Sequence, residues 1–182
     1  MTNSTPLGDV RTPKTFFSFP NPVNEWTART VAAGVFALSV LTLLTGWYWI
    51  TALLFAGFAL RLGWGPKLSP LGRFANLVVA PRLNRTWGGP ILVPGPPKRF
   101  AQAIGTVVTG AAAIVWFTTG NALGAGILLG IIVLASGLEA FANFCLGCWL
   151  FGLLMRAGII PETVCEACAD VSRRYDRSTA LA

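Results

Sequence analysis

Four cysteines are the side chains best suited to chemistry, and they come as two pairs. The sequence reads Cys145-Leu146-Gly147-Cys148, then sixteen residues, then Cys165-Glu166-Ala167-Cys168. Two Cys-x-x-Cys pairs at this separation match the spacing of a four-cysteine zinc site. Zinc takes four thiolates in a tetrahedron, and two short segments can supply them. The same two-residue gap is that of a redox dithiol, and a thiolate near a helix N-terminus is stabilised and reactive. Buried, inert cysteines are the plain alternative. The residues therefore leave open one zinc on Cys145, Cys148, Cys165 and Cys168, or thiols that pass electrons or sulfur. Neither pair has the glycine after its second cysteine that favours a ribbon-type knuckle. Pro161 and Glu162 before the second pair are signs of a helix start.

Other chemistries are poorly provided for. The chain has no histidine, which removes imidazole acid–base catalysis and every histidine-containing metal site. No Walker loop, dinucleotide fingerprint or nucleophile–histidine arrangement is present. Thiol redox or sulfur transfer is the most that the sequence offers as catalysis. Glu139 is the single acid within an apolar run, where an ionisable group is costly and often functional. Asn143 lies four residues on and would share its helical face. An ion pair with Arg29 or Arg61 is the simplest role for Glu139, and a proton-relay or substrate role is the alternative.

The elements that must position these groups are membrane helices. Of the 182 residues 54% are hydrophobic and 12% charged, against about 25% charged in a soluble domain. Apolar runs predict an all-α integral membrane protein with four spans, at about 28–46, 47–64, 100–118 and 122–143. They pair as two hairpins turning near Gly46 and Gly120-Asn121, within a membrane domain over 27–156. Residues 1–26 form a polar, aromatic tail with no cleavable apolar core. Residues 157–182 form a cysteine-containing tail with a short helix. A single helix over 122–155 would run about 50 Å, longer than a bilayer core, so a break is expected near Gly147. Gly120-x-x-x-Gly124, Gly126-x-x-x-Gly130 and Gly110-Ala111-Ala112-Ala113 predict close packing between the third and fourth spans.

The loop over 65–99 holds Lys67, Arg73, Arg82, Arg85, Lys98 and Arg99 and no acid, with Arg61 at its edge. Residues 71–79 could form an interfacial amphipathic helix, and the Pro- and Gly-rich stretch 81–97 should be extended. Neither predicted hairpin turn contains a Lys or Arg. Every basic residue thus falls on one side, which the positive-inside rule makes the cytoplasm, along with both termini. Trp26, Trp64 and Trp149 fall at that boundary and Trp47, Trp49 and Trp116 at the other, as two aromatic belts. The net charge of +7 accordingly points to lipid headgroups or a protein partner, not nucleic acid.

The sequence resembles the bacterial membrane proteins of domain-of-unknown-function family 4395 over roughly residues 20–155. The resemblance is carried by Asn21-Pro22, Pro81-Arg82-Leu83, Pro97-Lys98-Arg99-Phe100-Ala101-Gln102 and, most specifically, Phe144-Cys145-Leu146-Gly147-Cys148. It implies a four-helix protein of the bacterial cytoplasmic membrane, encoded near sulfurtransferases or thioredoxin-like proteins, and hence a thiol or sulfur-handling role for Cys145 and Cys148. Cys165 and Cys168 lie beyond the match. The expectation is a membrane thiol protein passing electrons or sulfur between partners. The alternative is a non-catalytic subunit of a membrane complex, with a four-cysteine zinc and a basic docking loop.

Overall fold

The computed structural model describes residues 23–64, 69–86, 89, 91–161 and 164. The described chain is almost entirely helical. A two-residue strand β1 (Val23–Asn24) leads into α1 (Glu25–Thr45), and a turn over 46–49 leads into α2 (Ile50–Trp64). A loop helix follows in three joined parts: α3 (Pro70–Phe74), a π-helical turn (Ala75–Val79) and α4 (Ala80–Thr86). Strand β2 (Leu92–Val93) precedes α5 (Gly95–Thr119), α6 (Ala122–Phe141) and α7 (Leu146–Arg156).

Three helices, α1, α5 and α6, are long and apolar enough to cross a membrane. Their 21, 25 and 20 residues correspond to about 32, 37 and 30 Å of helix. Helix α2 has 15 residues, about 22 Å, and falls short of a straight span.

The surface supports lipid as the solvent. On α6, Leu123, Ile127, Ile131, Leu134, Leu138 and Phe141 form an exposed apolar stripe at helical spacing. Water would penalise such a patch, whereas hydrocarbon would not. The interior is the inverse. Leu129 is the largest fully buried side chain, followed by Thr27, Thr42, Thr51, Thr109, Ser39 and Ser69. Several of these hydroxyls bond back along their own helix, Thr42 to the Leu38 carbonyl and Thr109 to Gly105, as does the buried Ser136 to Ile132. Small, internally satisfied side chains let helix backbones approach closely where no hydrophobic effect separates inside from outside.

Each helix takes its principal neighbour from the other hairpin: α1 packs on α6 and α2 on α5, while α5 and α6 also touch. The small residues serve these contacts unevenly. Gly105 and Gly110 of α5 lie under Phe58 and Phe55 of α2, where a Cβ would stand only 2.3 and 3.0 Å from the respective rings. Gly124 meets Val115 across the α5–α6 hairpin, but Gly126 faces Tyr48 and Gly130 has open space. The close-packing signal on α5 is therefore spent on α2 more than on α6.

The loop departs from expectation. Residues 81–86 are helical, not extended. Pro81 has no N–H to bond the carbonyl of Leu77, and its ring would crowd that carbonyl in a regular helix. The π turn just before it, in which Ala80 N–H reaches back five residues to the Ala75 carbonyl, relieves the conflict. The loop helix is held on α1: Thr27 donates to Asn76 at 2.7 Å and Leu71 packs over Gly34. Val23 pairs with Val93 and Asn24 with Leu92 in an antiparallel clip, and Asn24 caps α1 by accepting the Trp26 N–H. The expected short helix in the 157–182 tail falls largely outside the described residues.

Candidate functional site

The site forms where the N-terminal ends of α1 and α5 and the C-terminal ends of α2 and α6 meet. Helix α6 stops at Phe141, and Asn143 takes a left-handed backbone with φ 56°. Asparagine tolerates this conformation better than most residues. The break thus falls at Asn143, ahead of the position expected at Gly147. Asn143 is exposed beyond the helix end and does not share a helical face with Glu139.

Cys145 is the N-cap of α7. Its Sγ accepts the backbone N–H of Cys148 at 3.3 Å. A sulfur in this place meets the unpaired N–H groups and positive dipole end of the helix, which favour a thiolate. The pair has split character. The Cys145 thiol is drawn below the ordinary cysteine range, first by a hydrogen bond from the Cys148 thiol and further by Lys98 and the Cys148 N–H, against burial and Glu139. The same bond, with burial, pushes Cys148 up. The two shifts run in opposite directions and make Cys145 the more acidic thiol of the pair. Both are free thiols, half-buried.

Gly147 explains how α7 reaches this position. A Cβ there would lie 2.5 Å from the Ala101 Cβ and 2.7 Å from its Cα. The glycine sets the first turn of α7 directly on the α5 backbone instead of breaking the helix. Phe151 is buried one turn on, with its ring 5.6 Å from that of Phe100.

The charged residues around the cysteines join helices pairwise. Lys98 of α5 pairs with Glu139 of α6 at 2.6 Å. Arg61 of α2 donates from Nε to Gln102 of α5 at 3.0 Å and from Nη1 to Ser69 at 3.3 Å, and stacks over Phe58. Arg29 of α1 donates to the Ala140 carbonyl at the end of α6, at 3.0 Å from Nη2. Arg61 and Lys98, expected at a lipid or partner surface, are instead only 4% and 9% exposed. Arg61 does not snorkel outward because its guanidinium is held by partners within the bundle. Glu139 does take an ion pair, but its partner is Lys98 and not Arg29 or Arg61. Arg73, Arg82, Arg85 and Arg99 are exposed. Lys67, Cys165 and Cys168 lie outside the described residues, and among the described residues no cluster of metal-ligating side chains occurs.

A partly open cavity of about 210 Å³ lies beside Cys145. Its walls are apolar side chains of α1, α2, α5, α6 and α7, among them Val31, Val35, Phe58, Ile132 and Leu150. Arg61, Gln102, Ser136, Glu139 and Cys145 supply its polar groups. Sequence reasoning found Cys145, Cys148 and Glu139 and missed Lys98 and Gln102 as parts of the same site. The signal available was Pro96-Pro97: prolines suit the first turn of a helix, which places Lys98 inside α5 and not in the loop before it.

Comparison with known proteins agrees with the residues that carry the resemblance. No curated protein and no solved structure matched the chain. A family model described as a domain of unknown function (DUF4395) matches residues 23–156, from β1 to the end of α7, and the chain belongs to that family.

Proposed function

We propose that this chain is a four-span protein of the bacterial cytoplasmic membrane, whose Cys145/Cys148 dithiol handles electrons or sulfur at the cytoplasmic face. The observation that carries the reading is the seat of Cys145: an N-cap sulfur that accepts the Cys148 N–H, beside a lysine and at the wall of a cavity. This is the environment that makes a cysteine a nucleophile rather than a packing residue. The two-residue gap supplies a second thiol to release whatever the first has bound. The topology rests on four apolar helices in two hairpins, α2 being completed by Trp47 and Trp49 of its flanking turn. The orientation rests on Arg29, Arg61, Lys98 and Arg99 all standing at the end that bears the cysteines. A thioredoxin-like protein or a sulfurtransferase is the fitting partner, with exposed Arg73, Arg82, Arg85 and Arg99 offering it, or anionic lipid, a basic face.

The test is alkylation of the two thiols in membranes as a function of pH. Cys145 is expected to react at pH values below those at which free cysteine does, and Cys148 only well above them. Cys145→Ser should abolish trapping of a mixed disulfide with a thioredoxin-like partner. Equal, sluggish alkylation of both thiols at ordinary cysteine pH would overturn the reading. So would one tightly held zinc per chain that protects Cys145, Cys148, Cys165 and Cys168 together, which would make the cluster structural.

A further inference from the structure

Thiol exchange with a soluble protein leaves the cavity beside Cys145 without a use, and the cavity's shape and lining specify a ligand. Its volume is about 210 Å³. An apolar cavity of about 150 Å³ admits benzene, so a single substituted ring fits, whereas a flavin or nucleotide would not. The walls are apolar on five helices, and the polar groups besides Cys145 are Arg61, Gln102, Ser136 and Glu139. Such a lining suits a molecule with an apolar body and a few hydrogen-bonding atoms. Arg61 spends two of its N–H donors on Gln102 and Ser69; a guanidinium has five, and the side chain lines the cavity. The ligand has donors to meet, so it should carry acceptors. The outer faces of the surrounding helices are apolar, so such a molecule can arrive through lipid.

We infer that the cavity binds the ring of a membrane quinone, which serves as the two-electron acceptor of the Cys145/Cys148 dithiol; this rests on the thiol reading above. The Cys145 thiolate adds to a ring carbon, forming an S–C bond, and the ring takes a proton. Cys148, once deprotonated, attacks the Cys145 Sγ. The S–S bond forms, the S–C bond breaks, and its electron pair stays on the ring with a second proton. In sum two thiols lose two electrons and two protons, and one quinone becomes one quinol. Oxidised Cys145–Cys148 is then reduced again by the soluble dithiol partner.

The experiment uses the full chain, reduced and purified in detergent, with decylubiquinone as the probe, whose fully substituted ring forms no lasting thiol adduct. Quinol is followed by absorbance, and the disulfide by loss of alkylation at Cys145 and Cys148. A water-soluble aromatic disulfide, added to a parallel sample, oxidises the thiols without the cavity. One quinol per Cys145–Cys148 disulfide is expected. In Ala135→Phe, which fills the cavity from α6, the ratio of quinone-driven to disulfide-driven oxidation should fall at least tenfold. Ala28→Leu, a milder plug from α1, should lower it in the same direction and keeps the test open if the larger variant does not fold. Oxidation by the soluble disulfide but not by quinone would overturn this inference and leave the thiol reading standing. Quinone oxidation with an unchanged ratio in both variants would overturn the cavity as the binding site. Thiols inert to both oxidants would overturn the thiol reading and this inference together.

Discussion

At one end of the bundle α1 turns into α2 through Gly46 and α5 into α6 through Gly120, both with left-handed backbones at φ 72° and 63°. Asn121 caps α6 by accepting the Gly124 N–H, and Tyr48 and Trp116 close the gap between the hairpins at a ring distance of 4.8 Å. Neither turn carries a Lys or Arg. At the other end three basic side chains cross between helices, an ion pair is mostly buried, a π turn interrupts the loop helix, and a cysteine stands as a helix cap. The first end uses local turn chemistry, which any helical hairpin needs. The second contains costly features that stability alone does not require, since a well-packed apolar substitute for a buried ion pair is often as stable. Such local costs concentrate where a protein works.

The contrast can be tested by removing features from each end. The largest effect is expected for Lys98→Met, which leaves Glu139 charged and unpaired. A loss of about 3 kcal/mol is expected, read as denaturant unfolding in detergent. The same variant should shift Cys145 alkylation to higher pH, because Lys98 favours the thiolate. A paired Lys98→Met, Glu139→Leu variant should recover much of the stability and bring the alkylation profile back to the parent's pH or below it, because Glu139 opposes the thiolate more than Lys98 favours it. Gly147→Val comes next. Its side chain must push α7 off Ala101, at about 2 kcal/mol, within the usual range for overpacking. It should also shift the Cys145 alkylation profile, because α7 carries Cys145 with its own cap away from Glu139, Lys98 and the burial between them. The smallest effect belongs to the other end. Gly120→Ala meets no atom within 4 Å and costs only the strain of its backbone, about 1 kcal/mol. Its alkylation profile should match the parent. A shift there as large as in Gly147→Val would erase the distinction between the two ends.

The same contrast governs how much the sequence discloses. The hairpin end is legible because its determinants are local. Gly46 and Gly120 sit at helix ends where a residue without Cβ is favoured, and Asn121 is a standard N-cap. The apolar runs locate the three long helices to within a few residues, although α5 begins at Gly95 instead of 100. The other end is legible in its parts but not in its assembly. Cys145-x-x-Cys148 and Glu139 stand out by type. The pairing of Glu139 with Lys98 spans 41 positions, and only the packing of α5 on α6 creates it. Pro81 misleads for a related reason: its local rule forbids a regular helix, and the structure obeys that rule by changing the helix instead of ending it.

The π turn in the loop also sets a phase. Ala75 and Ala80 are both buried, yet residues five apart on a regular α-helix point about 140° away from each other. The extra residue in the turn returns the helix to register, so that Asn76 can accept from Thr27 while Asn84, in the next segment, still faces Asn24. The loop helix is therefore a strap whose two ends are keyed to one side of α1 by a single inserted residue. Excising one residue from 75–79 would straighten the helix and turn its second half by about 100°. Asn84 would swing away from the clip that β1 and β2 form, and with it the segment that delivers the chain to α5 and Lys98.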